Sequence, residues 1–296
     1  MPDCGSAGFQ TVRTDKCASE NLPEVKLRGP TMAYAPDQNR PFWDMFMANI
    51  AANETIPDEY SWHHIGDDSN WPDRAKAQFE SFRAEYNLPE RPISVDEYAW
   101  PWRQDPANTA WYISQMERND IWAMRANWGS KEDLHDRMAD LLGKTEDGEY
   151  YPNGEWWMYK YYAEMVGERA ETKVSEDINF DVFATVDADV VKVLAGTRTY
   201  EEDWTVGDYV IEVAGLDSAL GLEPFATVSV QTYRFDFEGA YGEMGPPADL
   251  GTDDYTLSDG SVSFPYLNHP VEGRIIARRL TCIPFTAPHS VPSGEQ

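Results

Sequence analysis

The sequence has few of the residues that bind metals or form disulfide bonds. It contains three cysteines and five histidines in 296 residues, and Cys4, Cys17 and Cys282 follow no C-x-x-C pattern. We therefore expect no metal site and no disulfide framework. The sequence also lacks a P-loop, an H-E-x-x-H motif and a G-x-G-x-x-G motif, so nothing in it supports a nucleotide, redox or other cofactor.

Positive charge is scarce as well. Lys and Arg total 24 against 52 Asp and Glu, which gives a formal net charge of −28. A surface of this sign repels phosphates, so nucleic acid and anionic membranes are not expected partners. No apolar stretch has the length of a transmembrane helix. Residues 1–10 have no basic start followed by an apolar run, so no signal peptide is expected in this chain.

Aromatic residues, by contrast, are abundant. The chain has 11 Trp, and aromatics make up 13% of its residues. Trp is rarely buried completely, so a surplus indicates either a Trp-rich core or flat apolar surfaces that bind a ligand. With 42% hydrophobic residues the chain is globular and long enough for two domains.

The first half alternates between strand-like and helical segments at intervals of about thirty residues, which is typical of parallel βα units. In such folds the loops at the carboxyl ends of the strands carry the chemistry. We expect strands at 25–30, 60–64, 92–98 and 121–128, and helices at 42–52, 74–86 and 109–119.

The second half has a different pattern. After a helix expected at 154–169, apolar residues alternate with period two from residue 177 onward, which predicts an antiparallel β-sandwich. Residues 239–254 are expected to form a long loop. The predicted domains are residues 1–172 with the βα units, 173–284 with the sandwich, and a disordered tail at 285–296.

One segment indicates a reaction. The strand at 92–98 ends in Glu97, beside an aromatic residue, and alternation would turn Asp96 to the opposite face. At the mouth of a parallel barrel, a glutamate can attack an anomeric carbon and form a covalent glycosyl intermediate. From the segment alone, a surface glutamate at a strand end is the simpler interpretation.

Four strand ends, taken in order, resemble strands five to eight of clan A glycoside hydrolases, with family 39-like members nearest. The resemblance rests on Lys26-Leu27-Arg28-Gly29-Pro30, Ser61-Trp62-His63-His64, Ser94-Val95-Asp96-Glu97-Tyr98 and the strand that ends in Trp128. It implies a fold of class α/β plus all-β: a partial (β/α)8 TIM barrel (strands five to eight) followed by an antiparallel β-sandwich. It also implies a retaining hydrolase of O-glycosyl bonds in oligo- or polysaccharides, and an extracellular location.

The resemblance assigns roles to individual residues. Glu97 corresponds to the nucleophile, Trp128 to the aromatic platform beneath the sugar, and either His63 or His64 to the pocket histidine, since alternation lets only one of them face inward. Trp62, Tyr98 and Trp100 are further candidates for substrate binding; Tyr98 and Trp100 could instead cover the seam between the domains. Trp122 lies earlier in its strand and is expected in the core.

The second carboxyl group of a retaining hydrolase is missing from the pattern. In clan A it follows an asparagine at the end of strand four, and the residues before the first strand contain no Asn-Glu pair. Asn53-Glu54 lies between two strands, and Ile65 stands where the family usually has a tyrosine. The chain is therefore expected to be a truncated enzyme, a half-barrel completed by a second copy, or a non-catalytic carbohydrate-binding relative.

Overall fold

The chain folds as two compact units. The computed structural model describes residues 25–36, 39–65, 70–127, 140–200, 203–204, 208–266 and 280–284. The first unit comprises the residues up to Pro101 together with Gln115–Asn127, and the second comprises Trp102–Ser114 and the residues from Trp128 onward. Residues 140–172 thus group with the later strands, whereas the sequence predicted the division after residue 172.

The first unit contains a parallel sheet. Its strands pair in the order β1-β2-β3-β4, every pair is parallel, and within the described residues the sheet ends at β1 and β4 without closing. The predicted parallel βα units are therefore confirmed, while a complete barrel is not seen. The elements along this part of the chain are β1 (Arg28–Met32), α1 (Arg40–Ala52), β2 (Glu59–His64), α2 (Pro72–Glu85), β3 (Ile93–Tyr98), a 3-10 turn (Pro101–Arg103), α3 (Pro106–Arg118) and β4 (Ile121–Arg125). Of these, most of the 3-10 turn and the residues of α3 up to Ser114 belong to the second unit.

An aromatic core joins this sheet to its helices. Tyr60 and Trp62 of β2 are fully buried against Trp43 of α1 and Phe79 of α2. The Trp62 ring centroid lies 6.0 Å from that of Trp43 and 5.4 Å from that of Phe79. Aromatic side chains contribute the largest apolar areas in a core, so these contacts fix the helices on one face of the sheet.

Local sequence explains where the helices begin. Asn39 precedes α1, and both its side-chain oxygen and its backbone carbonyl oxygen accept hydrogen bonds from the Phe42 amide, one of the first N–H groups of the helix. Proline stands at the first turn of both α1 and α2, where its missing N–H is not needed. None of the described helices combines the length and the apolar character needed to cross a bilayer.

The second unit is mainly antiparallel. A six-stranded sheet has the order β14-β13-β16-β9-β8-β7, and β12 pairs with β15 in a separate two-stranded sheet. The elements are β5 (Leu142–Lys144), β6 (Tyr150–Pro152), α4 (Gly154–Ala163), β7 (Glu168–Arg169), β8 (Phe180–Asp187), β9 (Val190–Thr197), β10 (Thr199–Tyr200), β11 (Asp203–Trp204), β12 (Tyr209–Val213), α5 (Leu216–Leu220), β13 (Thr227–Arg234), β14 (Ala248–Thr256), β15 (Val262–Tyr266) and β16 (Leu280–Pro284).

The antiparallel strands expected after residue 177 are present, and the two sheets share one apolar cluster. Val191 and Val193 of the larger sheet pack in it with Ile211 and Phe264 of the smaller one. The long loop predicted at 239–254 is wrong in its second half, because β14 begins at Ala248. Its Asp and Gly residues disfavour a strand, but it is an exposed edge strand that pairs along β13. The predicted tail at 285–296 lies outside the described residues.

A second cluster of the same unit joins helices to the larger sheet. Ala107 and Ala110 of α3 pack with Met158 of α4 and Leu194 of β9. The contact depends on Gly196, since a Cβ atom added there would lie 2.0 Å from the Ala107 carbonyl oxygen. A backbone approach of this kind leaves no room for a side chain.

Candidate active site

The two faces of the parallel sheet differ in polarity. Side chains alternate along β2, so Tyr60 and Trp62 point to the helix-covered face while Glu59, Ser61 and His63 point to the opposite face. We call this opposite side the polar face. Ser61 is buried there and is paired with Ser94 of β3.

The end of β1 also contributes to the polar face. The register between β1 and β2 shifts at Thr31, and this residue has a φ of 53°. A positive φ is unusual for a β-branched residue and is strained. The Thr31 hydroxyl lies 2.8 Å from the Ser61 hydroxyl, so the irregularity brings it to the polar face.

A β-bulge near the end of β3 determines which carboxylates reach the polar face. Val95 pairs with Trp62 of β2, and Glu97 pairs with the next residue of β2, His63. Asp96 lies between them and has no paired residue on β2. The register of β3 against β4 shifts at the same place. Because a bulge interrupts strict alternation, Asp96 and Glu97 both turn to the polar face. The expectation that Asp96 faces the other way is wrong for this reason.

Glu97 contacts a histidine on the neighbouring strand. The Glu97 Oε2 atom lies 3.1 Å from His63 Nδ1, and the side chains are 41% and 20% exposed, respectively. The carboxylate is thus accessible from the solvent side, while the imidazole beside it is largely covered. When its Nδ1 carries a proton, His63 can hold one carboxylate oxygen and leave the other directed at a ligand.

Arg28 holds the two other carboxylates of the polar face. Its Nη1 atom donates to Asp96 Oδ1 at 2.8 Å, and its Nε atom lies 3.2 Å from Glu59 Oε1. The Ser94 hydroxyl donates to the same Asp96 oxygen at 3.3 Å. These contacts fix Asp96 within the bulge and thereby set the direction of the next residue, Glu97.

The other predicted residues of β2 and β3 lie on the opposite side of the sheet. Trp62 is fully buried between α1 and α2, so it is a core residue and cannot offer its ring to a sugar. His64 pairs with Tyr98, and both are buried. Alternation in β2 places His64 on the same face as Trp62. Of the residues predicted to form the site, the structure brings together His63 and Glu97.

The remaining predicted aromatics have other positions. Trp100 is half-buried just after β3, and Trp128 lies outside the described residues. Trp122 was expected in the core, but it is 77% exposed. The expectation fails because Trp122 pairs with Ser94 on the last strand of the described sheet, where its side chain points to the polar face.

The polar face presents the Glu97 carboxylate at the carboxyl end of β3. A retaining glycosidase needs a second carboxyl group about 5–5.5 Å from the first. Among the described residues of the polar face, the other carboxylates are Glu59 and Asp96, and both are engaged by Arg28. Glu54 precedes β2, so it lies at the amino-terminal ends of the parallel strands, whereas Glu97 lies at their carboxyl ends. The described residues contain no cluster of three or more potential metal ligands.

Three residues of the polar face were not predicted from the sequence: Arg28, Glu59 and Thr31. A signal for Glu59 was present, because polar and aromatic residues alternate in Glu59-Tyr60-Ser61-Trp62-His63. Such alternation indicates one polar and one apolar face. The bulges that place Thr31 and Asp96 have no comparable signal, since neither involves glycine.

Two curated enzymes are similar in sequence. A segment of 128 residues is 30% identical to the 3-O-alpha-D-galactosyl-alpha-L-arabinofuranosidase of Bifidobacterium longum subsp. longum, and it spans 43% of this chain and 10% of that protein. The 3-O-beta-L-arabinopyranosyl-alpha-L-arabinofuranosidase of Bifidobacterium pseudocatenulatum is 24% identical over 235 residues, 73% of this chain and 23% of that protein. The chain therefore matches less than a quarter of either relative. No protein-family model matches the sequence.

Solved structures share the fold. A protein of Neocallimastix frontalis superposes with a TM-score of 0.74 at 20% identity, covering 93% of this chain and 65% of the other. A glucosidase from Croceicoccus marinus gives a TM-score of 0.56 at 16% identity, covering 91% of this chain and 62% of the other. The mixed fold, with one parallel sheet and several antiparallel sheets, is therefore shared with parts of these two solved structures. Together with the two curated relatives, these likenesses support a relationship to glycoside hydrolases.

Proposed function

We propose that this chain carries the nucleophile half of a retaining glycoside hydrolase site, with Glu97 as the nucleophile. The single observation that carries the proposal is the position of Glu97. It lies at the carboxyl end of a parallel strand, turned by a bulge to the polar face and held 3.1 Å from His63. Carboxyl ends of parallel strands are where such folds place their catalytic groups.

The proposed first step is a displacement at the anomeric carbon. One Glu97 oxygen attacks this carbon, a glycosyl ester forms, and the bond to the leaving oxygen breaks with its electron pair. Water then attacks the same carbon and releases Glu97. His63 acts as a positioning residue that keeps the carboxylate aimed, since its contact is with Glu97 rather than with the departing group.

The proposed substrate is an α-L-arabinofuranoside. Both curated relatives are named as 3-O-glycosyl-α-L-arabinofuranosidases, and this is the basis for the choice. The acid that protonates the leaving group would come from residues other than Glu59 and Asp96, on further polypeptide or a second copy of the chain. An extracellular location, implied by the family resemblance, is part of the same proposal.

A substrate that needs no acid provides the test. 2,4-Dinitrophenyl α-L-arabinofuranoside has a leaving group that departs without protonation, so nucleophilic attack can be observed even where acid catalysis is absent. We expect a burst of dinitrophenolate and a glycosyl ester on the peptide that contains Glu97, identified by mass spectrometry. Added azide should release the sugar as a glycosyl azide of retained configuration, because azide needs no general base.

The matched variants are Glu97→Gln and Glu54→Gln. Both exchange a partly or fully exposed glutamate for its amide, but Glu54 lies at the amino-terminal ends of the parallel strands. Glu97→Gln should abolish the burst and the label, and Glu54→Gln should leave both intact. A label on any other carboxylate, or an inverted azide product, would contradict the proposal.

A second candidate function is carbohydrate binding without hydrolysis. The observation that favours it is the engagement of both neighbouring carboxylates, Glu59 and Asp96, by Arg28. Saturable binding of an α-L-arabinofuranoside that persists in Glu97→Gln, with no label on the wild-type chain, would establish this alternative and rule out the hydrolase.

A further inference from the structure

A cleft in the second unit has the composition of a sugar-binding site. It has a volume of about 400 Å³, within the range typical of small-molecule sites. Its walls include three half-buried aromatics, Trp157 and Tyr161 of α4 and Tyr233 of β13, and the two prolines Pro246 and Pro247. Aromatic faces of this kind can stack on the apolar face of a pyranose. We call it the Trp157 cleft.

The proline wall of the Trp157 cleft is held in place by hydrogen bonds. The indole Nε1 of Trp157 donates to the Met244 carbonyl oxygen at 2.7 Å, and the Met244 amide donates to the Pro152 carbonyl oxygen at 3.0 Å. Four residues before Met244, the Ala240 carbonyl oxygen accepts a hydrogen bond from Asn153 Nδ2 at 2.9 Å. The segment that leads into the two prolines is therefore fixed against α4. Ligand binding would then cost little conformational entropy in this segment.

The Trp157 cleft is locally positive in a strongly acidic protein. The described residues that line it include Lys160 and Lys192, two of the eight lysines in a chain of net charge −28, and one carboxylate, Glu164. Lys160 is paired with Glu164 at 2.5 Å. Lys192 instead donates to the backbone carbonyl oxygen of Glu164 at 2.6 Å, so this contact orders its ammonium group without neutralising it. The excess positive charge matches a ligand with one carboxylate.

We infer that the Trp157 cleft binds a saccharide that carries a carboxylate, a uronate, with its ring on the aromatic wall and its carboxylate on Lys192. The site is separate from Glu97, and the inference does not depend on the proposed hydrolase function. It assigns to the second unit the recognition of acidic glycan units.

The test compares two glycosides that differ only in charge. Methyl β-D-glucuronide and methyl β-D-glucoside are titrated into the whole chain and followed by ligand-observed NMR. We expect saturable binding of the glucuronide with a Kd in about the millimolar range, and weaker binding as salt is raised. Binding of the glucoside should be about fivefold weaker or more, as expected for loss of one exposed ion pair.

Three variants separate this site from other sources of binding. Lys192→Gln should weaken glucuronide binding by about fivefold. Lys173→Gln, which removes the same charge from an exposed position outside the cleft, should leave the affinity unchanged. Glu97→Gln should also leave it unchanged, which distinguishes this site from the proposed catalytic one. Equal binding of both glycosides, equal loss in both lysine variants, or no saturable glucuronide binding would overturn the inference.

Discussion

Adjacent residues of β2 should give opposite phenotypes when replaced by alanine. Trp62 points into the aromatic core, whereas His63 points to the polar face and contacts Glu97. We therefore expect Trp62→Ala to reduce stability and His63→Ala to reduce reaction at Glu97. The pair tests the assignment of the two faces, on which the candidate site depends.

The magnitude for Trp62 follows from its burial. A buried aromatic covers roughly 150–250 Å², so at about 25 cal/mol/Å² its removal costs about 4–6 kcal/mol of stability. The Trp62 indole N–H is buried without a hydrogen-bond partner among the described residues. Its removal eliminates a desolvation penalty of about 1–3 kcal/mol and so offsets part of this cost. The expected net loss is about 3 kcal/mol, or about 12–24 °C in Tm for a unit of roughly 100 residues.

The assay combines calorimetry with the labelling reaction. Trp62→Ala should lower the Tm of the first unit by that amount and, at a temperature where it is folded, label Glu97 within about twofold of the wild-type rate. His63→Ala should shift Tm by less than about 4 °C, since the residue is partly exposed. Its labelling rate should fall about ten- to hundredfold, because a misaligned nucleophile attacks poorly. A large Tm loss in His63→Ala with unchanged labelling would refute the reasoning.

Two further predictions concern stability. Gly196→Ala should lower the free energy of unfolding, measured by urea denaturation, by about 1–3 kcal/mol, because the added Cβ atom would lie 2.0 Å from the backbone of α3. The control Gly245→Ala adds a Cβ atom with nothing within 4 Å and should cost less than about 0.5 kcal/mol. Equal losses in the two variants would contradict the close approach at Gly196. Burial raises the pKa of Tyr60 to about 12 from the ordinary value of about 10. The contribution of this residue to stability is therefore intact below pH 10, and about 2 kcal/mol of it is lost as the pH rises to 12. Urea titrations at successive pH values should show this loss in the wild type and not in Tyr60→Phe. If the free energy of unfolding falls with pH above 10 as steeply in the variant as in the wild type, the assignment is refuted.

The parallel sheet and its order along the chain were predictable because both depend on local pattern. Segments such as Glu59–His64 and Ile93–Tyr98 are apolar enough to be strands, and the helical segments between them leave only parallel pairing. The strand β14 was not predictable from composition. Its Asp and Gly residues disfavour a strand, but pairing with β13 supplies hydrogen bonds that no local pattern reveals.

The candidate site was predictable only in part. The strand end at Glu97 is visible in the sequence, as is the requirement that one of His63 and His64 faces it. The choice of His63 depends on the side of the sheet that the helices cover, and that side is set by contacts between Trp62 and residues of α1 and α2.

The βα pattern, the change to antiparallel strands and the glutamate at the end of the third strand can be read from the sequence, because each is a feature of one short segment. The positions of three other side chains cannot: Asp96 joins Glu97 on the polar face, Trp62 lies in the core and Trp122 is exposed. A bulge, a covering helix and a sheet edge arise from contacts between segments distant in sequence, and such contacts leave no periodic trace.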